Sequence, residues 1–384
     1  VKALVVYAQD SNDYYPVPSQ AMRDSIYARL SRFYATMSYG AHRITFKECL
    51  NAGRYFVADY SVPYYKKHYN PKKHVRGFGM FNEEILHKVK AQKGEACFSD
   101  VDLIIMAGTD GGRDWYTKGY NATGFGMLGT EFSAAGKTFG RGQRQGGFTV
   151  EIGSDIGTPD STDDRFLPLS EIYWNFSHEY GHWLGLGHHS CKLGIYSLMC
   201  KELRGNDRMP EFGPPPLDIF HIFQLGWLSE SDSSRVRTIA ARPGSLTVTL
   251  EQIRSPEGLV AARIDLPGRN EKLFVCYHRQ SANTFDGVYP GEGLLIWSKN
   301  KWRIELEYPQ TPGQKGGAGT SHRDRSDRVA TAFFRGDHKF SHAFSTPPGS
   351  RGSLGKDKRP LIKQMTVDAI HEMEDRVTFR VFFR

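Results

Sequence analysis

The sequence predicts an α/β (α+β) domain over residues 1–233, followed by an all-β, sandwich-like domain over residues 234–384. Three observations predict it. From Lys2 to Ala107, apolar strand-like runs alternate with segments of helical spacing, which argues a mixed layer of strands and helices. Near mid-chain, an apolar helical stripe carries two histidines four residues apart. From about Ser234, short apolar runs are separated by Gly, Pro and Asn turns, the spacing of a β-sandwich.

Taken in order, Lys2–Ala8 is rich in β-branched and large apolar residues and reads as a strand rather than a signal peptide. With no initiator methionine, the chain is expected to be a mature or trimmed form. Met22, Ile26, Leu30 and Phe33 recur at intervals of four, four and three, so Ser19–Thr36 reads as a helix. Arg43–Glu48 and Val101–Ala107 are further strands. Between them, Ile85, Leu86 and Val89 give Asn82–Lys93 one apolar side. The glycine-rich stretch Asp110–Gly147 has no phosphate-loop spacing and reads as irregular surface structure. Phe148-Thr149-Val150-Glu151-Ile152 alternates as an edge strand would. Asp155, Asp160, Asp163 and Asp164 gather oxygens that could hold Ca2+. No EF-hand spacing accompanies them, and a solvated acidic loop is the other reading.

A helix is expected from near Ser170, with Glu171 suiting its positive dipole end. Ile172, Phe176, Tyr180 and Trp183 give it a buried side. It carries His178-Glu179-Tyr180-Gly181-His182-Trp183-Leu184-Gly185-Leu186-Gly187-His188, the pattern HExxHxxGxxH. His178 and His182 project from one face, as two ligands of a single ion must. Gly185 can end the helix and let the chain fold back to present His188 as a third nitrogen. Three protein ligands leave a fourth position for water, the arrangement of one catalytic Zn2+. Glu179 lies where a carboxylate can take a proton from that water.

The long motif, followed eleven residues after His188 by Met199 in Tyr196-Ser197-Leu198-Met199, resembles the metzincin clan of metalloproteases. Further stretches are similar to one branch, the immune inhibitor A-like peptidases, with gametolysin more distant. They are Ser38-Tyr39-Gly40, Leu225-Gly226-Trp227-Leu228, His278-Arg279-Gln280, Phe285-Asp286-Gly287 and Pro290-Gly291-Glu292-Gly293-Leu294-Leu295-Ile296-Trp297. His278 follows Tyr277 where the family has a Glu-Asn pair. The resemblance implies a twisted mixed sheet with an active-site helix, and Met199 as an apolar floor beneath the zinc-binding rings. It also implies an edge strand that pairs with an extended peptide, a task given to Phe148–Ile152. The activity implied is that of a secreted zinc-dependent endopeptidase. Where some clan members add a tyrosine two residues after the methionine, Lys201 stands here; Tyr196 could serve, but nothing in the sequence selects it.

Composition sets limits. With 39% hydrophobic and 13% aromatic residues among 384, the chain is a folded protein able to bury a sizeable core. No run of eighteen apolar residues exists, so no membrane span is expected. Five cysteines, Cys49, Cys97, Cys191, Cys200 and Cys276, fit an extracellular, periplasmic or cell-surface setting. A Cys191–Cys200 bridge would clamp the methionine turn. Cys49–Cys97 is the second candidate pair, and Cys276 in an apolar strand reads as a free buried thiol. Lys301–Arg384 holds 16 Lys+Arg against 10 Asp+Glu, so +6 of the net +8 lies there. That surface could meet acidic or polyanionic partners; a solvated basic face is the bland reading. No nucleic-acid motif is seen.

The expected partner is a protein or peptide substrate, met by a monomer. Two other readings remain at this point: a binding or adhesion protein with a vestigial peptidase fold, and a zinc hydrolase acting on glycopeptides. Intact Glu179 beside three histidines argues against the first.

Overall fold

The computed structural model describes residues 1–11, 16–67, 76–108, 124–125, 128–140, 146–151, 169–188, 197–199, 214–266, 272–279, 285, 292–299, 304–306, 340–343, 364–373 and 375–384. The chain divides into two compact units, Val1–Gly187 with Leu203–Leu217, and His188–Glu202 with Asp218–Arg384.

The first unit is built on a six-stranded mixed sheet. Its strands are β1 (Lys2–Gln9), β2 (Thr45–Cys49), β3 (Phe56–Val57), β4 (Leu103–Gly108), β5 (Gly124–Phe125) and, further along the chain, β8 (Gly147–Glu151). The order is β2-β1-β4-β8-β5, with β3 also pairing β1. All neighbours are parallel except β5, which runs antiparallel to β8. A short hairpin of β6 (Phe132–Ala134) and β7 (Lys137–Phe139) stands apart from this sheet.

The central strand β1 is buried along nearly its whole length, which is why Ala3 to Ala8 reads as a continuous apolar run rather than an alternation. Helix α1 (Gln20–Met37) begins where Ser19 caps it, its hydroxyl accepting from the Met22 amide at 3.3 Å. The α1 side chain of Arg23 pairs with Glu48 on β2 at 2.7 Å. Two further helices follow, α2 (Val62–Lys67) and α3 (Arg76–Lys93). Asn82 ties α3 down, its buried amide nitrogen donating to the Leu128 carbonyl at 2.8 Å and the Thr149 hydroxyl at 2.9 Å.

One expectation is corrected. Among the described residues β8 is not an edge strand: β4 lies on one side of it and β5 on the other. Gly147 makes the β4 pairing feasible, because a Cβ there would collide with the Ile104 carbonyl oxygen. The alternation of Phe148 and Val150 reflects a strand with its larger residues packed inward, and it carries no mark of how many neighbours the strand has.

The second unit holds two sheets. One contains β10 (Gly244–Glu251), β17 (Arg376–Phe383), β16 (Gln364–Glu372) and β15 (Phe340–Ala343), all antiparallel in that order. The other runs β14 (Ile304–Leu306), β13 (Gly293–Lys299), β12 (Lys272–His278), β11 (Ala261–Asp265) and β9 (Val236–Ala240), with only β11 and β9 parallel. Val248, Leu250, Val377, Phe379 and Val381 from the first sheet share one core with Ile264, Leu273, Val275, Leu294 and Ile296 from the second. That shared layer is the expected sandwich. On the far face of β12 and β13, a short helix, Ile219–Gln224, lays Phe220 against Phe274 and Trp297, at ring distances of 5.2 and 6.3 Å. Burial on both faces explains why Leu273–Cys276 and Leu294–Trp297 are unbroken apolar runs.

No described helix is long and apolar enough to cross a membrane. Cys276 is a buried free thiol, as expected, and burial pushes its pKa up to about 12. The acidic residues Asp155, Asp160, Asp163 and Asp164, the pair Cys191 and Cys200, Tyr196, Lys201 and most of the basic stretch after Lys301 lie outside the described residues.

Candidate metal centre

The histidine helix spans Leu169–Trp183, one residue from its expected start. Its apolar side is buried through Ile172, Tyr173, Phe176 and Tyr180. Polar contacts fix its rotation as well as its depth. The Tyr34 hydroxyl donates to the Ser177 carbonyl at 2.6 Å, Ser25 meets the Tyr173 hydroxyl at 3.0 Å, and His42 Nε2 meets the Tyr180 hydroxyl at 2.7 Å. Tyr180 also packs against Tyr34 and Phe148, on α1 and β8. With that face committed inward, His178 and His182 are left to share another.

Gly185 ends the helix as the spacing expects. Its φ of +89° is a left-handed conformation that costs glycine little. The Gly185 amide donates to the His182 carbonyl at 2.8 Å and the Leu186 amide to the Gly181 carbonyl at 3.0 Å, the pair of bonds that defines a Schellman motif. The same turn brings the Leu186 carbonyl oxygen 2.9 Å from Nδ1 of His182.

One ligating nitrogen from each of His178, His182 and His188 lies within 4.8 Å of the others, with the first two residues buried and His188 exposed. Nε2 of His178 and Nε2 of His182 face each other at 3.1 Å, with the rings nearly perpendicular. Zinc–nitrogen bonds of about 2.0–2.1 Å at a tetrahedral angle would set two ligating nitrogens roughly 3.3 Å apart, so the pair suits one ion. A second test concerns tautomers. A proton on Nδ1 of His182, given to the Leu186 carbonyl, leaves Nε2 with a free lone pair, the state a metal ligand needs. The donor set therefore fits a divalent transition metal. Glu179 sits between the first two histidines in sequence and is itself buried.

Ser197, Leu198 and Met199 are all fully buried. Ser197 is held by Asp218, which sequence reasoning missed: its hydroxyl donates to Oδ2 of Asp218 at 2.7 Å. Oδ1 of Asp218 accepts from the amides of Phe220 and His221 at 3.0 and 3.1 Å, capping the short helix. The imidazole Nδ1 of His221 stands 2.6 Å from Oδ2. One buried carboxylate thus joins the methionine turn to a helix start. A legible signal existed, an Asp directly before the apolar run Ile219-Phe220. Trp174, which the sequence reading did not single out, packs its ring against that of His178 at 4.6 Å, one helical turn before it.

The later stretches behind the family resemblance fall in the second unit. Leu225-Gly226-Trp227-Leu228 closes the short helix, with Gly226 at φ +71°. His278 is the buried last residue of β12, opposite Gly293. Phe285 is buried, whereas Gln280, Asp286, Gly287, Pro290 and Gly291 lie outside the described residues.

No family model matches the chain, and no curated protein matches it. Among solved structures, the crystal structure of wild-type OgpA from Akkermansia muciniphila aligns with 72% of this chain and 71% of that one, at 14% identity and a TM-score of 0.33. A likeness that slight fixes neither the fold nor the chemistry.

Proposed function

We propose that the chain is a secreted zinc-dependent endopeptidase, with residues 1–233 as the catalytic domain and residues 234–384 as a β-rich domain. The observation that carries this reading is the convergence of His178, His182 and His188 to within 4.8 Å, with Glu179 on the same helix. Structural zinc sites close the ion with four protein ligands, whereas three histidines are the donor set of a catalytic site. Zinc held there would supply Lewis acidity, toward a water and toward a substrate carbonyl.

The chain's own residues do the rest. Glu179 takes the proton of the attacking water and hands it to the departing amine nitrogen. The Leu186 carbonyl keeps His182 in its ligating tautomer. Met199 takes the part of the apolar methionine that the resemblance implies, and its complete burial supports that part. The task first given to Phe148–Ile152 passes to β5, the last strand of the sheet order among the described residues, where an extended peptide can add main-chain hydrogen bonds.

Chelation tests the reading. Protein stripped of metal should lose cleavage of an unfolded protein substrate and regain it on addition of about one equivalent of zinc. Cleavage that survives complete stripping would remove zinc from the mechanism.

A further inference from the structure

The strongest feature outside the metal centre is a pair of thiols at the base of the first sheet. Cys49 is the last residue of β2, and Cys97 lies in the one-turn helix Glu95–Phe98 that leads toward β4. The sulfur atoms are 2.9 Å apart. Carbon atoms in good contact stand about 3.5–4.0 Å apart, and sulfur is larger, so these two are already within bonding reach. Both belong to the core cluster of the first unit, beside Phe98 and Val101. Lys47 Nζ donates to the Ala96 carbonyl at 2.9 Å and so holds the one-turn helix against β2.

We propose that Cys49 and Cys97 are a thiol–disulfide couple, oxidised by exchange with a small-molecule disulfide, and that the bond staples β2 to the turn before β4. The two residues play different parts. The hydrogen bond shared with Cys49 lowers the Cys97 thiol, the Lys47 and Lys93 ammonium groups add to that, and burial works against them. Cys49 is pushed well up, first by the same hydrogen bond and then by burial. Cys97 is flanked by exposed Glu95, Ala96 and Ser99, so of the two it is the one an incoming reagent meets.

The exchange balances in two steps. The Cys97 thiolate attacks one sulfur of the external disulfide, that S–S bond breaks, and one thiolate leaves. Cys49 then gives up its proton and attacks Cys97, expelling the second thiol. Two protein thiols are oxidised and one external disulfide is reduced to two thiols. The bond ties together β2 and the entry to β4, the two strands that flank β1 along its length, and closes a loop containing α2 and α3. This inference does not depend on the peptidase reading.

Wild-type protein would be incubated with oxidised glutathione, then alkylated and digested for peptide mapping. The expected result is a Cys49–Cys97 linked peptide, an intact mass lower by two hydrogens, and a Tm higher by roughly 5–10 °C. Cys49→Ser should instead stop at a glutathione adduct on Cys97. Two results overturn the inference: both residues remaining alkylated in the oxidised wild type, or either one linked to Cys191 or Cys200. Because the decisive readings come from wild type, a poorly folding variant leaves the test intact.

Discussion

The carbonyl oxygen of Leu186 lies 2.9 Å from Nδ1 of His182. A residue beyond the helix end thus sets the tautomer of a candidate metal ligand inside it, and Gly185 is what places it there. Gly185→Ala should strain the left-handed turn by about 1–2 kcal/mol. It should also weaken zinc binding roughly 10-fold, the scale of losing a partner that orients a ligand. Competition with a chromogenic chelator measures the second effect, and thermal unfolding of the metal-free protein measures the first.

Asp218 serves two structures at once. Ser197→Ala removes only the 2.7 Å tether to the methionine turn and should cost about 1 kcal/mol. Asp218→Ala also uncaps the short helix and should cost about 2–4 kcal/mol. Urea unfolding should rank the two in that order. Equal losses would mean that the cap contributes nothing.

Burial holds the His42 imidazole down to about 4, against an ordinary value of 6.5. Between those values the unfolded chain binds a proton that the folded chain refuses. Stability is therefore complete above about pH 6.5 and is lost as pH falls toward 4. His42→Gln keeps a partner for the Tyr180 hydroxyl and cannot titrate, so its Tm should decline less over that window. A Tm-against-pH series on both proteins checks this.

The thiols should differ in reactivity. Reduced protein at neutral pH should alkylate at Cys97 well before Cys276, whose thiol is pushed up to about 12 by burial. Timed alkylation with peptide mapping gives the order directly.

Much of this was legible in the sequence, and for physical reasons. Ser19 and Gly185 mark helix ends through local backbone needs, and both act as their chemistry requires. Ile26, Leu30 and Phe33 of the α1 stripe and the runs in β12 and β13 also record burial faithfully, whereas Met22, in the first turn of α1, is only half-buried. What escaped depends on partners far along the chain. Phe148 and Val150 alternate, but nothing in five residues says that Gly124–Phe125 will cover that strand. Asp218 was overlooked because its second partner, Ser197, is twenty-one residues away. Cys49 and Cys97 were already the second candidate pair, but the strand order that brings their sulfur atoms to 2.9 Å was not legible in their spacing.

The most direct test of the central claim is cleavage mapping by mass spectrometry in a mixed peptide library, comparing wild type with Glu179→Gln and quantifying zinc in each. The account predicts about one zinc in both proteins, cuts at internal peptide bonds by wild type, and a loss of roughly 100- to 10,000-fold in the variant. Zinc-loaded wild type that cuts no internal bond, or a variant that cuts as fast as wild type, would contradict it.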